Sequence, residues 1–289
     1  MRVVLIGRPP PDPLTQAEGG AVRRALAEAA RTLGPISDTP RLDAELLMAH
    51  ALDCTRDTMI LSRLDAPVPA GFAVLLARRQ AHEPLAYIIG TRDFWTITLA
   101  VGPGVLIPRA DSETLIEAAI DHFGAVGPAS ILDLGTGPGT LLLAALDQWP
   151  QARGLGIERS QTARDYAVGN AARIAPGRAE IRDGDWGQGV AGRFDLVLCN
   201  PPYVENGAAL APQVARHEPA EALFAGAQGL NEYRRLAPQL SRLIAPGGIA
   251  IIEIGAAQEQ AVSTLMAEAG FAVACRHDLG GRPRALILS

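Results

Sequence analysis

Asn200-Pro201-Pro202-Tyr203 comes straight off the apolar run Phe194-Asp195-Leu196-Val197-Leu198-Cys199, and these residue types suit the holding of a planar amide or amine. Asn200 offers a side-chain carbonyl that accepts a hydrogen bond from a substrate NH2 group. Pro201 lacks an N–H, so its carbonyl can face the substrate with no donor beside it. Pro202 keeps Pro201 out of the α region and so directs that carbonyl. Tyr203 adds an aromatic wall. Two acceptors and one π face suit a nitrogen about to be alkylated by a cation. A Pro-Pro pair after a strand also makes an ordinary stiff loop, so the reading depends on what else the same sheet carries.

Upstream, Ser130-Ile131-Leu132-Asp133-Leu134-Gly135-Thr136-Gly137-Pro138-Gly139-Thr140 passes from an apolar stretch through glycines into the apolar run Leu141 to Leu146. That order reads as buried parallel strand, tight turn and helix. Glycines at such a turn let backbone N–H groups approach a ligand and aim the helix N-terminus at it. A nicotinamide-dinucleotide site is the obvious competitor. Its fingerprint wants Gly-x-Gly-x-x-Gly or Ala, and the sixth position counted from Gly135 is Thr140. Gly-x-Gly-x-Gly behind an acid instead favours a nucleoside with an amino-acid tail. Asp133 can then meet the tail's ammonium, directly or through water, while Gly135, Thr136, Gly137, Pro138 and Gly139 form the cradle.

Glu158 ends the next apolar run, Gly154-Leu155-Gly156-Ile157. It lies about twenty residues beyond Gly139, the spacing at which an acid meets a ribose diol in doubly wound folds. A solvated charge at a strand end is the plainer alternative. Asp185 and Trp186 follow the short strand Glu180-Ile181-Arg182-Asp183. Asp185 can accept from an adenine amino group, and Trp186 can pack on the base or serve as ordinary core. Asn200, at the border of both sites, counts among the cofactor's neighbours as well as the catalytic residues.

These turns can meet only if the strands before them lie side by side and end together, as in open α/β sheets that bind ligands at their carboxyl ends. From about residue 110 helix and strand patterns do alternate, which predicts an α/β, doubly wound Rossmann-like sheet. Phe271 to Cys275 and Ala285 to Leu288, separated by Gly280-Gly281, predict an antiparallel pair closing it. Ahead of this, Ala21 to Leu33, Leu42 to Leu52 and Phe72 to Gln80 read as helices, the second entered through Thr39-Pro40 with Pro in its favoured first turn. The expected organisation is a flexible Pro-rich extension (1–16), a helical substrate-recognition domain (17–83), a β-hairpin linker (84–108) and a catalytic domain (109–289). A stability cap is the alternative role for the helical part.

Taken together, the glycine turn, Glu158, Asp185-Trp186 and Asn200-Pro201-Pro202-Tyr203 resemble the core motifs of class I S-adenosylmethionine-dependent methyltransferases. The last of them is similar to those that methylate exocyclic or amide nitrogen. Arg78 to Gly90, Phe94-Trp95 and Val105-Leu106-Ile107-Pro108-Arg109 resemble the hinge of the PrmC/HemK family. His217-Glu218-Pro219, Gly229-Leu230 with Tyr233-Arg234-Arg235, and Asp278-Leu279-Gly280-Gly281-Arg282 are similar to that family's later signatures. The likeness spans about residues 37–289. It implies an N(5)-glutamine methyltransferase acting on the Gly-Gly-Gln glutamine of peptide chain release factors, with S-adenosyl-L-methionine as cofactor. Two departures stand out: Arg109-Ala110-Asp111-Ser112-Glu113 where the family usually has Arg-Pro-(Asp/Glu)-Thr-Glu, and Glu158 where it usually has Asp.

Composition agrees with a globular enzyme: 289 residues with 48% hydrophobic content can build one large and one small core. Cys54, Cys199 and Cys275 are odd in number and far apart, so no disulfide framework is expected, and no Cys/His spacing predicts a metal. Cys199, beside the reactive loop, reads as a small strand residue rather than a nucleophile. No apolar stretch is long enough to span a bilayer, which makes the cytoplasm the default. A net charge of −5 argues against broad nucleic-acid binding. An adenine or guanine amino-methyltransferase is still the alternative function, and it would need a local basic patch, for which Arg23-Arg24, Arg78-Arg79 and Arg234-Arg235 are the candidates.

Overall fold

The computed structural model describes residues 20–289; the expected extension lies outside them. The chain forms two compact units that divide between Ile89 and Gly90. The first is helical: α1 (Ala21–Leu33), α2 (Pro40–Ala51), α3 (Arg56–Ser62), α4 (Phe72–Gln80) and α5 (Leu85–Ile89). In α1 the buried residues Val22, Leu26, Ala29 and Leu33 recur at the helical period, so one stripe faces the core formed with Leu47, Met48, Met59 and Phe72. Pro40 occupies the first turn of α2, and the Thr55 hydroxyl caps α3 by accepting from the Thr58 N–H at 3.1 Å. Arg79 and Asp43 pair at 2.9 Å inside this core, with side chains 4% and 8% exposed. The expected linker 84–108 is thus divided, since α5 groups with the helical unit and the strands with the second.

The second unit opens with the hairpin of β1 (Thr91–Phe94) and β2 (Ile97–Ala100), turned by Trp95 in the left-handed region at φ 54°. The Trp95 N–H donates to Glu113 Oε1 at 2.8 Å, which anchors this turn against the start of α6 (Glu113–Phe123). Strand and helix then alternate: β3 (Ser130–Leu134), α7 (Thr140–Gln148), β4 (Arg153–Glu158), α8 (Gln161–Ile174), β5 (Ala179–Asp183) and β6 (Phe194–Cys199). After α9 (Pro212–His217) and α10 (Asn231–Leu240) come β7 (Ile244–Glu253), α11 (Glu259–Glu268), β8 (Val273–His277) and β9 (Pro283–Leu288). The seven strands of the large sheet lie in the order β5-β4-β3-β6-β7-β9-β8. All pairings are parallel except those of β9, which runs antiparallel between β7 and β8. Near-continuous apolar strands such as Leu196 to Cys199 and Ile249 to Ile252 are fully buried, as a sheet covered on both faces requires. The doubly wound α/β architecture and its antiparallel closing pair are those the sequence predicts.

The chain path places a switch point between β3 and β6. After β3 the chain moves outward through β4 and β5, then returns to the other side of β3 as β6. The helices that follow β3 and β6 diverge there and leave a crevice at the carboxyl ends.

Candidate active site

Strand register converts the sequence motifs into neighbours. Leu134 lies opposite Ile157 of β4 and Cys199 of β6, so Gly135, Glu158 and Asn200 occupy adjoining positions on three consecutive strands. Glu158 lies opposite Asp183, which places Gly184 and Asp185 next along the same edge. On the other side Cys199 faces Ile252, so Asn200 stands beside Glu253. A cavity opens along this edge, walled by the glycine turn on one side and by Asn200 and Pro202 on another.

Asp133, Gly135, Thr136, Gly137, Pro138, Glu158, Asp185, Trp186, Asn200 and Pro202 all line that cavity. Gly139, Pro201 and Tyr203 do not. Gly139 enters α7 in the left-handed region, φ 92°, where a Cβ would come 2.7 Å from Leu143 Cδ1, so it shapes the turn from behind. Gly135 is equally confined: at φ 71° its Cβ would meet Trp186 Cζ3 at 2.9 Å. Trp186 is therefore both part of the sheet core and the prop beneath the glycine turn, and its indole N–H donates to Glu232 Oε2 at 2.8 Å.

The carboxylates are unequal. Asp133 is 1% exposed, and its Oδ2 accepts from Thr136 Oγ1 at 2.6 Å and from the Leu142 N–H at 3.1 Å. Its Oδ1 is buried without a partner, and burial pushes the carboxyl up to about 7 despite those two bonds. Glu158 is held from two sides, Oε2 by the Gly137 N–H at 3.0 Å and Oε1 by the Ser160 N–H at 2.8 Å, which fixes its carboxylate across the mouth of the glycine turn. Asp185 Oδ2 pairs with Arg235, whose other arm holds Glu232 Oε2 at 2.6 Å.

Asn200 lines the cavity, and its Nδ2 donates to Ser112 Oγ at 3.2 Å, so its Oδ1 is not used in that contact. Pro201 is buried and Pro202 half-buried at the rim. Tyr203 turns away from the cavity: its ring packs on the sheet core and its hydroxyl donates to Glu253 Oε1 at 3.1 Å. Gln258 Nε2 donates to the Tyr203 carbonyl at 3.0 Å and pins the loop. Leu106, Pro108 and Arg109 also line the cavity. Glu218 ties that segment down, accepting from the Ile107 N–H at 3.1 Å and from Arg109 at 2.5 Å. Cys199 is fully buried, and burial with Asp133, Glu232 and Glu253 nearby raises its thiol well above the usual range, so it is no nucleophile.

Residues 24–90 match the family model described as PrmC N-terminal domain, and residues 112–228 match that of the methyltransferase small domain. A release factor glutamine methyltransferase of Rhodospirillum rubrum is 39% identical over 289 aligned positions, covering 93% of this chain and 89% of the relative. Its namesakes in Caulobacter vibrioides (41% identical, 81% and 83% covered) and Mycolicibacterium smegmatis (39%, 91% and 95%) are similar to the same extent. The chain belongs to the release factor glutamine methyltransferase family. Among solved structures, the hMettl16 catalytic domain superposes with a TM-score of 0.54 at 15% identity, covering 76% of this chain and 81% of that one. A T. thermophilus 16S rRNA methyltransferase in complex with AdoMet and guanosine gives 0.50 at 19% identity, covering 69% and 49%. Both show the class I methyltransferase fold.

Within this member of the family, sequence reading passes over Glu232 and Glu253, and it names Ser112, Glu218 and Arg235 only as parts of longer motifs, without the contacts they make. Glu253 had a usable signal: an acid ending the apolar run Ile249 to Ile252, the pattern that singles out Glu158. The contacts of Ser112 and Arg235 had none, because their partners lie 88 and 50 residues away in the chain. Among the described residues, Glu259, Cys275 and His277 bring potential metal-ligand atoms within 4.8 Å of one another, on α11 and β8 and apart from the cavity lining. No helix among the described residues is long and apolar enough to cross a membrane.

Proposed function

We propose that this chain transfers a methyl group from S-adenosyl-L-methionine to the side-chain amide nitrogen of the glutamine in the Gly-Gly-Gln motif of peptide chain release factors. The carrying observation is the place of Asn200: it lines the same cavity as the glycine turn, and its NH2 is engaged by Ser112, which leaves its carbonyl oxygen available to accept from a substrate. Membership of the release factor glutamine methyltransferase family supports the same reading.

The residues fit the cofactor. Asp133 Oδ1, buried and unpartnered at the cavity wall, suits an ammonium group. Gly137 also lines the cavity, and a Cβ there would meet no atom within 4 Å, so the space beside this turn is free for a ligand. Glu158 would take the ribose diol, Asp185 the base amino group through its unpaired oxygen, and Trp186 the base edge. When bound, the cofactor supplies a methyl already activated on a sulfonium, so the protein's task is placement and charge. A glutamine amide nitrogen is a weak nucleophile because its lone pair is delocalised into its carbonyl. Accepting its two protons, at Asn200 Oδ1 and the Pro201 carbonyl, returns density to nitrogen and stabilises the charge that grows there. Tyr203 acts from outside the cavity, holding the loop through Glu253, in place of the aromatic wall expected from its position in the motif. The N-methylated cation is acidic, so no strong base is required before transfer.

The helical unit contributes no residue to the cavity lining, and we assign it to recognition of the release factor. The nucleic-acid alternative is disfavoured because four of its six candidate arginines have acidic partners: Arg23 pairs with Asp65, Arg78 with Glu83, Arg79 with Asp43, and Arg235 with Asp185 and Glu232. The test is incubation with S-adenosyl-L-methionine and an unmodified full-length release factor, followed by peptide mass spectrometry. One methyl on the Gly-Gly-Gln glutamine, absent with Asn200→Ala while cofactor affinity persists, is the expected result. Methylation elsewhere, or normal turnover by Asn200→Ala, overturns the reading.

A further inference from the structure

Asparagine's side-chain amide is nearly symmetric in shape, and a half-turn exchanges an acceptor for two donors. At Asn200 that exchange decides whether the acceptor glutamine meets an oxygen or another NH2 group. Nothing within Asn-Pro-Pro-Tyr settles it, so the deciding contact must come from elsewhere in the fold. We propose that Ser112, backed by Glu253, sets the Asn200 amide with its oxygen toward the substrate, making both of them positioning residues for methyl transfer. The inference rests on the role given to Asn200 above.

The Ser112 hydroxyl can donate one hydrogen bond and accept two, so by itself it would tolerate either face of the amide. Its neighbour removes the choice. Glu253 ends β7 directly beside Asn200 because Cys199 and Ile252 are in register. Its carboxylate is the natural destination for the single Ser112 proton, and this leaves the Ser112 oxygen only lone pairs to offer Asn200. The oxygen then receives the Asn200 NH2, the arrangement in which the two groups stand 3.2 Å apart. Ser112 and Glu253 are 2% and 1% exposed, so bulk water does not compete for either group.

The carboxylate is itself constrained. Tyr203 donates to Glu253 Oε1 at 3.1 Å, and the Tyr233 hydroxyl fixes the Glu253 backbone carbonyl at 2.9 Å. Burial raises the Glu253 carboxyl above its ordinary range, and the Ser112 hydroxyl is the leading influence that opposes the rise, ahead of Arg284 and Tyr203. Glu253 Oε2 is buried without a hydrogen-bond partner, so it is open to that hydroxyl. Tyr203 of the acceptor loop is thus held by the same buried carboxylate that the proposal gives to Ser112.

The test uses the full chain. Ser112→Ala should lower kcat by about 10- to 100-fold, the usual loss when a support of a working side chain is removed, with cofactor affinity and melting temperature close to wild type. Ser112→Thr, which retains the hydroxyl, should recover most of the rate. The sequence holds four asparagines, Asn170, Asn200, Asn206 and Asn231, so selective 15N-asparagine labelling gives a readable spectrum. In Ser112→Ala the Asn200 side-chain NH2 pair should shift and exchange faster while the other three pairs stay in place. An unchanged Asn200 pair, or full activity of Ser112→Ala, overturns the inference. Loss of rate in Ser112→Thr equal to that in Ser112→Ala would mean packing rather than the hydroxyl, and overturns it too. Asn200→Ala run alongside separates the two readings: its normal turnover removes the role of Asn200 itself, whereas its inactivity beside a fully active Ser112→Ala removes only the positioning role.

Discussion

Replacing Asp133 by Asn should strengthen the fold and weaken cofactor binding. The Asn carbonyl oxygen can take the place of Oδ2 in accepting from Thr136 and Leu142, so the turn keeps its bonds. What disappears is a buried carboxyl whose value rises from 3.8 to about 7 on folding, chiefly through burial. Between those values the folded chain holds a proton that the unfolded chain has released. Stability therefore falls as pH climbs through this window and levels off above about 7. Three units at about 1.4 kcal/mol each make the contribution about 4 kcal/mol. Urea denaturation of both proteins from about pH 5 to 8 should show the variant gaining roughly 3 kcal/mol on wild type across that range. Calorimetric titration with S-adenosyl-L-methionine should show the opposite trend in function. Wild-type affinity should rise nearly tenfold per pH unit up to about 7 and then plateau, because the ammonium favours the ionised carboxylate. The variant should bind about 10- to 100-fold more weakly at pH 8, through loss of a charge-assisted bond of roughly 1.5–3 kcal/mol. A stability difference that stays flat with pH would refute the burial argument, and equal affinities would refute the ammonium role.

Gly135→Ala forces a Cβ to within 2.9 Å of Trp186 Cζ3 at a φ of 71°; urea denaturation should show a loss of about 1–3 kcal/mol, and an unchanged midpoint would contradict the close packing under the turn. Arg79→Ala strands the Asp43 carboxylate in the helical core, for an expected loss of about 3–5 kcal/mol visible in the far-ultraviolet melting curve of the full chain; a loss below about 1 kcal/mol would place that pair in water. Glu218→Gln leaves one neutral acceptor for two partners, Ile107 and Arg109. Cofactor affinity should drop by about tenfold in the same titration, and an unaltered value would show that this segment does not cover the ligand.

The parts of this enzyme readable in sequence are those whose chemistry lies in consecutive residues. A glycine turn after an apolar strand, an acid closing the next strand, and Asn-Pro-Pro-Tyr after a third each carry their own geometry, because backbone restrictions at Gly and Pro act over one or two residues. Periodicity reached further, to whole helices such as α1 and α4 and to the pairing of β8 with β9. Which residues stand beside those motifs is another matter. Glu253 reaches Asn200 only because β7 pairs with β6 in one register, and a slip of one residue would turn its side chain to the opposite face. Ser112 arrives from the turn before α6, Arg235 from α10 and Glu218 from beyond α9. The side-chain roles shifted accordingly: Tyr203 left the cavity for Glu253, and Trp186 became a prop beneath Gly135. Local sequence determines which groups can accept, donate or turn the chain. Strand order and register, set by burial of the whole sheet, decide which of them meet, and a hydrogen bond across 50 or 88 residues has no local pattern to announce it.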